Sequence, residues 1–426
     1  MRCFLIVGLF LLAACAPQYV PGWAPAPEDI PSLETQLRDR PTNRDVRTLL
    51  GTAYLENRQP EAALDVLEPI TGAGPELLAL LTRGGALEEL GRLDDARETY
   101  ERLLRLTGTE HPEIRQATEA RIALVRRRQL EADVRQSLER EAELADRQTE
   151  LGTIAVLPFV FEGGDPRYEP LGLALAEMVV TDLRTIDRIQ VLERLRVQLL
   201  LDELVPADLG EVDPATAARS GQILGAAQVI HGRVEVDDDG VSMTAALVPT
   251  RVDAARSSLD EQGELPAFFD LQKRLVLALI QEMRIQLTSA ERERIHERTT
   301  ENLEAVLLFG RGLEAEDRGD FAAAARYFRQ AGEADPGFGT ASERAGDAEV
   351  LASQAAIIPR HLPGLVLARM PSPPEVPLSV ERLRLVLADI DGLVPGPEVR
   401  DPGPELLGNE GVTLGPALLE IILRWP

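Results

Sequence analysis

The middle of the chain contains the stretch GLALAEMVVTDLRTIDRIQVLERLRVQLLLDEL, residues 172–204. Apolar residues recur at helical spacing over residues 171–183 and again over residues 195–204, which predicts two helices. The short apolar run at residues 189–192 between them is typical of a strand. Two helices separated by a strand favour a sheet that is covered by helices.

The sequence on either side of this stretch adds further strands. Upstream, the apolar run TIAVLPFVF, residues 153–161, predicts one strand. Downstream, a predicted helix over residues 214–224 precedes three strands, at residues 227–236, 241–250 and 255–264. Short loops, including DDDG at residues 237–240, join these strands as an antiparallel meander. An amphipathic helix over residues 268–287 closes the unit, so the predicted fold class is α+β with a mixed sheet.

Helical hairpins are predicted before and after the sheet. Gly51 and Ala63 return as Gly84 and Ala96, and the two alanines lie 33 residues apart. This pattern resembles tetratricopeptide repeats, whose period is about 34 residues. Small residues at these positions let the two helices of a hairpin approach closely. A third copy of the pattern follows the sheet, at Gly312, Gly319, Phe321, Ala324, Phe328, Ala331 and Pro336.

A long charged stretch, residues 113–148, lies between the second hairpin and the sheet. We expect it to continue as one helix that caps the repeats with its first turns. The alternative is a coiled coil, although the heptad spacing does not hold. Its seam would consist of Leu130, Val134, Leu138, Ala142 and Ala145.

Two segments of the central region resemble the curli-assembly CsgG-like lipoprotein family. They are residues 172–204, where Val191-Leu192-Glu193-Arg194 ends the short strand, and VDPATAARSGQILGAAQVIHGRV, residues 212–234. The opening IAVLPFVF is also similar to the amino-terminal domain of TolB-type proteins. The resemblance covers about residues 152–285. It implies an outer-membrane-associated periplasmic lipoprotein concerned with assembling or exporting surface material.

The amino terminus has the features of an export signal that ends in a lipobox. Arg2 precedes an apolar run that is too short to span a bilayer, and Leu12-Ala13-Ala14-Cys15 ends it. We expect cleavage between Ala14 and Cys15, and acylation of Cys15 that holds the protein to a lipid bilayer. Ordinary cleavage with an incidental Cys15 is the alternative. The absence of Asp at position 16 favours the outer membrane over the inner one.

The composition argues against several classes of function. A formal net charge of −26 argues against a nucleic-acid partner, because phosphate contacts need clustered cations. Lys273 is the only lysine, which excludes a P-loop lysine. His111, His231, His296 and His361 lack the spacing of metal ligands. We therefore assign no catalytic residue, metal or cofactor. Calcium at DDDG is the alternative, but turn-forming residues explain that loop equally well.

The candidate binding site is the inner face of the repeats. The first helices carry five acidic residues there, Glu56, Glu88, Glu89, Glu316 and Asp317. This face lacks the basic residues that clamp a peptide carboxylate, so we expect a protein partner with a basic or apolar segment. The alternative is that the acidic side chains only solvate helix ends.

The predicted organisation has six segments. They are a lipoprotein signal peptide (1–15), a proline-rich tether (16–42), repeats with a long helix (43–150), a CsgG-like and TolB-like α+β domain (151–290), a further repeat (300–355), and a segment rich in proline and glycine with a terminal strand (356–426).

These features favour an outer-membrane-anchored periplasmic lipoprotein that acts as a protein-binding scaffold or assembly factor for envelope or surface structures. The resemblance is compatible with a homo-oligomer. One alternative is a subunit of a curli-type outer-membrane secretion channel. That function would need two amphipathic membrane hairpins, whereas the meander is acidic and its loops are short. A periplasmic hydrolase is the other alternative, and it would need a deep pocket with clustered carboxylates.

Overall fold

The computed structural model describes residues 27–70, 77–108, 112–144, 152–204, 214–237, 240–250, 257–355, 357 and 359–363. The predicted lipobox with Ala14 and Cys15, residues 16–26 of the predicted tether and the predicted terminal strand lie outside these residues. Residues 30–39 of the predicted tether form a helix whose Leu33 is buried, so this part of the chain is not an extended spacer. The chain forms two compact units. Unit 1 is Met1–Ile122 together with Ala355–Pro426, and unit 2 is Ala123–Gln354.

Unit 1 is built from helical hairpins. After α1 (Ile30–Asp39), the first hairpin consists of α2 (Arg44–Glu56) and α3 (Pro60–Leu67). The second consists of α4 (Leu77–Glu89) and α5 (Leu93–Thr107). Asn43 caps α2, because its side chain accepts a hydrogen bond from the Val46 N–H at 3.1 Å. Pro60 opens α3 at a position where the missing N–H removes no helical hydrogen bond.

Three glycines lie where the two helices of a hairpin touch. A Cβ built on each glycine would fall within 3 Å of a large side chain on the facing helix. The pairs are Gly51 with Leu67 Cγ at 2.8 Å, Gly84 with Tyr100 Cε1 at 2.3 Å, and Gly312 with Phe328 Cδ1 at 2.4 Å. In every pair the large residue follows the glycine by 16 residues. The predicted role of small residues in close helix packing is confirmed at these positions.

The predicted long helix over residues 113–148 is shorter than expected. The chain forms α6 (Pro112–Glu139), breaks at Arg140 and continues as the short α7 (Glu141–Leu144). Val134 packs with Leu200 and Val229 in the core of unit 2. The coiled-coil alternative needs Val134 on an intermolecular seam, and this buried position does not fit that role.

Unit 2 contains a mixed sheet of six strands among its described residues. The spatial order is β3 (Gln190–Val191), β1 (Thr153–Val156), β4 (Gln228–Val236), β5 (Val241–Pro249) and β6 (Ser257–Gly263), with β2 (Val160–Gly163) also paired to β4. The strand β1 is parallel to both β3 and β4, whereas β4, β5 and β6 are antiparallel. The mixed sheet and the antiparallel meander are therefore confirmed. The predicted strand over residues 189–192 is shorter, with only Gln190 and Val191 paired to β1.

The prediction of one strand over residues 153–161 was wrong, because two strands occupy this run. Pro158 lies between them and cannot donate a ladder hydrogen bond. Val156 pairs with Ile230 and Val160 pairs with Arg233, so the β1–β2 side has one residue more than β4 over this interval. This extra residue makes a β-bulge.

Helices cover both faces of the sheet. One face packs on α8 (Leu171–Leu183) and α11 (Phe268–Glu282), and the other packs on α9 (Arg194–Leu204) and α10 (Pro214–Leu224). Alternate residues of β1 enter the two cores, with Ile154 on the first face and Ala155 on the second. This period of two is the side-chain alternation of a strand.

The predicted helix over residues 268–287 ends earlier than expected, at Glu282. Arg284 adopts a left-handed backbone conformation with a φ of 59°. Its N–H donates to the Gln281 carbonyl at 2.9 Å, and the Ile285 N–H donates to the Ile280 carbonyl at 3.2 Å. These two bonds form a Schellman cap, which ends the helix.

Three further helices follow α11 and a short helix, α12 (Ser289–His296). They are α13 (Leu303–Asp317), α14 (Phe321–Ala334) and α15 (Gly339–Ala355). As predicted, α14 stops before Asp335-Pro336 and α15 begins at Gly339. The ring of Phe309 lies 5.2 Å from that of Phe328 and 4.9 Å from that of Phe338, measured between centroids.

A capping box at the start of α12 leads to a first prediction. Thr288 Oγ accepts from the Glu291 N–H at 3.2 Å, and the Glu291 carboxylate accepts from the Thr288 N–H at 2.7 Å. We expect Thr288→Ala to lower the free energy of unfolding by about 1 kcal/mol in urea denaturation. Thr299→Ala, at an exposed threonine in unit 2, is the control and should leave stability unchanged.

The same cap makes the free energy of unfolding depend on pH. Hydrogen bonds from the backbone and side chain of Thr288 lower the pKa of Glu291 to about 2. Stability from this lowered pKa is present above the ordinary value near 4.5 and is lost as the pH falls towards 2. Thr288→Ala removes the hydroxyl that donates to the Glu291 carboxylate at 2.8 Å but keeps the backbone N–H. The difference in free energy of unfolding between the variant and the parent should therefore narrow in part over this range. A difference that stays constant with pH would contradict the hydrogen bond from the Thr288 hydroxyl to this carboxylate.

Candidate functional site

The acidic residues of the first repeats lie at the carboxyl ends of two first helices. Glu56 ends α2, while Glu88 and Glu89 end α4. Glu56 and Glu89 are 33 residues apart and therefore occupy equivalent repeat positions. Arg121 of α6 stands another repeat length after Glu88, so these residues line successive first helices.

Glu88 and Arg121 form a buried ion pair. The Arg121 Nε donates to Glu88 Oε1 at 2.9 Å, and Nη2 donates to the other carboxylate oxygen. The two side chains are 0% and 6% exposed. Burial raises the pKa of the neighbouring Tyr100 well above its usual value, and the charge of Glu88 adds to this effect. The pair therefore serves to join α4 to α6.

A short segment of the same unit lies against this face. We call it the docked segment and define it as Ile357 and residues 359–363. Its Ile357 carbonyl accepts a hydrogen bond from Arg121 Nη1 at 3.3 Å. A Cβ on Gly85 would lie 2.9 Å from the Pro359 carbonyl oxygen, so the absence of a side chain lets the main chain approach α4.

Two basic side chains of the docked segment meet the predicted acidic residues. Arg360 lies 3.7 Å from Glu89, and His361 Nδ1 lies 2.5 Å from Glu56 Oε2. Leu362, the next residue, is 2% exposed. The segment thus passes from α6 over α4 to α2 and places a basic and apolar sequence on the acidic face.

The Glu56 side chain is buried beside the docked segment. Burial raises the pKa of its carboxyl, and the charges of His361 and Arg360 oppose this rise. A buried carboxylate is stable in its ionised form only when a cation or several donors lie beside it. The face therefore favours an occupant that brings positive charge to Glu56.

Glu316 and Asp317 belong to a different site, within unit 2. Arg194, the first residue of α9, donates to both Asp317 oxygens at 2.6 and 2.5 Å and to Glu316 at 3.0 Å. It also lies 3.2 Å from Glu177 of α8. Arg344 of α15 donates to Glu177 at 2.7 Å and to Glu316 at 2.8 Å. We call these five residues the arginine–carboxylate network.

This network is largely buried. Arg194 is 10% exposed at its side chain, and Glu177 and Asp317 are each 8% exposed. Burial raises the pKa of Asp317, while Arg194 opposes the rise. A cleft of about 300 Å³ adjoins the network and is lined in part by Leu130 and Phe321. Its clustered carboxylates are held by arginines, and this arrangement gives no support to the hydrolase alternative.

The single lysine has a structural environment. Lys273 Nζ donates to both Asp182 oxygens at 2.8 and 2.9 Å, and Gln272 donates to the same carboxylate at 2.8 Å. The ammonium group is thus paired inside unit 2 between α11 and α8.

All five predicted partner-binding residues have a basic neighbour in the structure. Sequence reasoning did not find these neighbours, which are Arg121, Arg194, Arg344, Arg360 and His361. The 33-residue spacing from Glu88 to Arg121 was the one signal that could have found the first. Partner binding by the acidic residues stays a prediction.

The other histidines lie in separate parts of the sequence. His231 lies on β4 and His296 ends α12, while His111 is outside the described residues. Over the residues that the structure describes, no group of three or more His, Cys, Asp or Glu side chains is arranged to hold a metal ion. Within the same residues, no helix combines the length and the apolar content needed to cross a membrane.

Comparisons with known proteins identify two family matches. Residues 136–245 match the family described as curli production assembly/transport component CsgG, and residues 48–111 match the tetratricopeptide repeat. No curated protein sequence shows a significant match. Neither family is an enzyme family. The suspected combination of a CsgG-like region with tetratricopeptide repeats is confirmed by these two matches.

Proposed function

We propose that this protein is an outer-membrane-anchored periplasmic lipoprotein that serves as a protein-binding scaffold or assembly factor for envelope or surface structures. The observation that carries the proposal is the acidic face of α2 and α4, which holds a basic and apolar segment through Glu56 and Glu89. A face that accepts such a segment has the charge needed to bind a partner of the same kind.

The anchor in this proposal is acylated Cys15, exposed by cleavage after Ala14. It is supported by the apolar run and small residues that precede the cysteine, and by the outer-membrane association of the CsgG family. The proposed organisation has the signal at residues 1–15, a tether that ends before α1, repeats at 43–150 and 300–355, the α+β domain at 151–290 and a carboxyl-terminal segment at 356–426.

The proposed partner carries a basic or apolar segment. At a net charge of −26, the chain attracts basic partners over distances comparable to the Debye length, about 10 Å at 0.1 M salt. We propose that Glu56, Glu88, Glu89, Glu316 and Asp317 contribute to this acidic character. Glu88, Glu316 and Asp317 are paired with arginines of the same chain, whereas Glu56 and Glu89 meet the docked segment directly.

A comparison of matched variants tests the scaffold function. We expect the double variant Glu56→Gln/Glu89→Gln to lose at least tenfold of the partner recovered after crosslinking in intact envelopes and purification. Glu98→Gln, at an exposed glutamate of α5, should retain the partner. Equal recovery with both variants would contradict partner binding at this face.

The same preparation tests the anchor and the assembly state. Mass spectrometry of the amino-terminal peptide should find an acylated Cys15, and Cys15→Ala should move the protein to the soluble fraction. An unmodified cysteine would contradict the anchor.

A subunit of a secretion channel is the second candidate, favoured by the match of residues 136–245. Sizing after detergent extraction would support it if a ring-sized homo-oligomer formed, and a monomer would contradict it.

A further inference from the structure

We propose that the docked segment is an intramolecular ligand of the acidic face, and that the external partner displaces it with a segment of the same chemistry. That chemistry is a basic residue and an imidazole followed by a large aliphatic side chain, as in Arg360-His361-Leu362. The inference rests on the proposed protein-binding function, and it adds the class of segment that is bound and the competitor already present.

The contacts of the docked segment are those of a bound peptide. They reach α2, α4 and α6 through a main-chain carbonyl, an arginine and a histidine side chain and one buried leucine. Gly85 is part of this site, because a side chain at that position would meet the Pro359 carbonyl. The adjacent Gly84 faces Tyr100 instead, so the two glycines serve different surfaces of α4.

The docked segment brings basic side chains to the acidic side chains of the face. Arg360 and His361 face Glu89 and Glu56, while the Arg121 guanidinium is neutralised by Glu88. An acidic segment would lose the contacts to Glu56 and Glu89 and would leave the buried Glu56 carboxylate without a cation. The face therefore discriminates in favour of a basic segment.

The contact between Arg360 and Glu89 is a weak one. The ion pair of Arg360 with Glu89 joins groups that keep 16% and 25% of their exposure at 3.7 Å, and partly exposed pairs contribute little net stability. The docked segment competes through its covalent connection to the chain, which raises its effective concentration. A partner must overcome this concentration, and removal of the competitor should raise the observed affinity.

The test uses the full chain carrying Cys15→Ala and a fluorescent peptide, IIPRHLP, which is the sequence of residues 357–363. We expect Arg360→Glu/Leu362→Ala to bind this peptide at least tenfold more tightly than the parent, by fluorescence anisotropy. Arg326→Glu, at an exposed arginine of α14, is the charge-matched control and should bind like the parent. Equal peptide affinity of the parent and of Arg360→Glu/Leu362→Ala would overturn the proposal.

Two further experiments test the proposal if Arg360→Glu/Leu362→Ala folds poorly. Adding Glu56→Gln/Glu89→Gln to it should abolish peptide binding. A chain with Cys3→Ala, Cys15→Ala, Glu89→Cys and Arg360→Cys should bind the peptide more weakly after a short bismaleimide ties down the docked segment than the same chain does before crosslinking. Equal binding before and after crosslinking would overturn the proposal. If the peptide results hold but the crosslinked partner is indifferent to Glu56 and Glu89, the scaffold function fails while the intramolecular ligand stands.

Discussion

Arg194→Met is expected to lower the free energy of unfolding of the transition that includes unit 2 by about 3–5 kcal/mol, the range for a broken buried ion pair. Arg194 is the centre of the arginine–carboxylate network and holds Glu177, Glu316 and Asp317 together. Methionine fills much of the volume but supplies no charge and no donors. The carboxylates then stay buried with only Arg344 to compensate Glu177 and Glu316.

The loss should depend on pH in a defined direction. Burial already raises the pKa of Asp317, and removal of Arg194 takes away the charge that opposes this rise. A carboxyl whose folded pKa lies above its unfolded value binds its proton more tightly in the folded state. The variant should therefore regain stability on acidification from pH 8 to pH 5, and urea denaturation at both values measures this.

Arg126→Met is the matched control for this experiment. Arg126 bonds Glu193 at 2.8 Å, but its side chain is 62% exposed. Exposed pairs of this kind contribute up to about 1 kcal/mol. Adding Asp317→Asn to Arg194→Met should restore part of the lost stability, since the amide needs no counter-charge. Equal losses in Arg194→Met and Arg126→Met would contradict the assigned role of burial.

Local signals in the sequence placed several elements of unit 2 correctly. The bounds of α8 and α10 agree with the predicted ranges 171–183 and 214–224. In both, an apolar pattern at helical spacing begins beside a proline, which fixes the start. The small residues of the repeats were equally informative, because the same distance separates each glycine from its large partner.

Two element boundaries were missed. The break between β1 and β2 depends on the register of both strands against β4, more than 70 residues away. The end of α11 depends on a left-handed arginine, a conformation that carries a penalty for any residue with a Cβ and gives no signal in the composition.

The sequence predicted the acidic residues of the candidate site but not the segment that occupies it. Local sequence identified Glu56 and Glu89 as acidic residues of an inner face and favoured a basic or apolar partner. The occupant comes from a segment 305 residues away from Glu56, namely His361 and its neighbours. Only the fold could bring these groups together, because periodicity within the repeats says nothing about which distant segment reaches them.

Gly84→Ala is expected to lower the free energy of unfolding of unit 1 by about 1–3 kcal/mol, the usual range for overpacking. The added Cβ would lie 2.3 Å from Tyr100 Cε1 and 2.6 Å from Cζ. Tyr100 is fully buried, so its ring can move only by displacing α4 from α5. Alanine is favoured over glycine in a helix by about 0.5–1 kcal/mol, and the steric effect must exceed this gain.

Two comparisons separate the steric effect from helix propensity. Gly346→Ala in α15 is the control, because a Cβ there meets nothing within 4 Å. It should leave stability unchanged or raise it by up to about 1 kcal/mol. Gly84→Ala/Tyr100→Leu should lose less stability than the sum of the two single changes, since the smaller side chain leaves room for the methyl group. Chemical denaturation of the four variants and the parent measures this coupling, and strict additivity would show that Gly84 is not there to admit Tyr100.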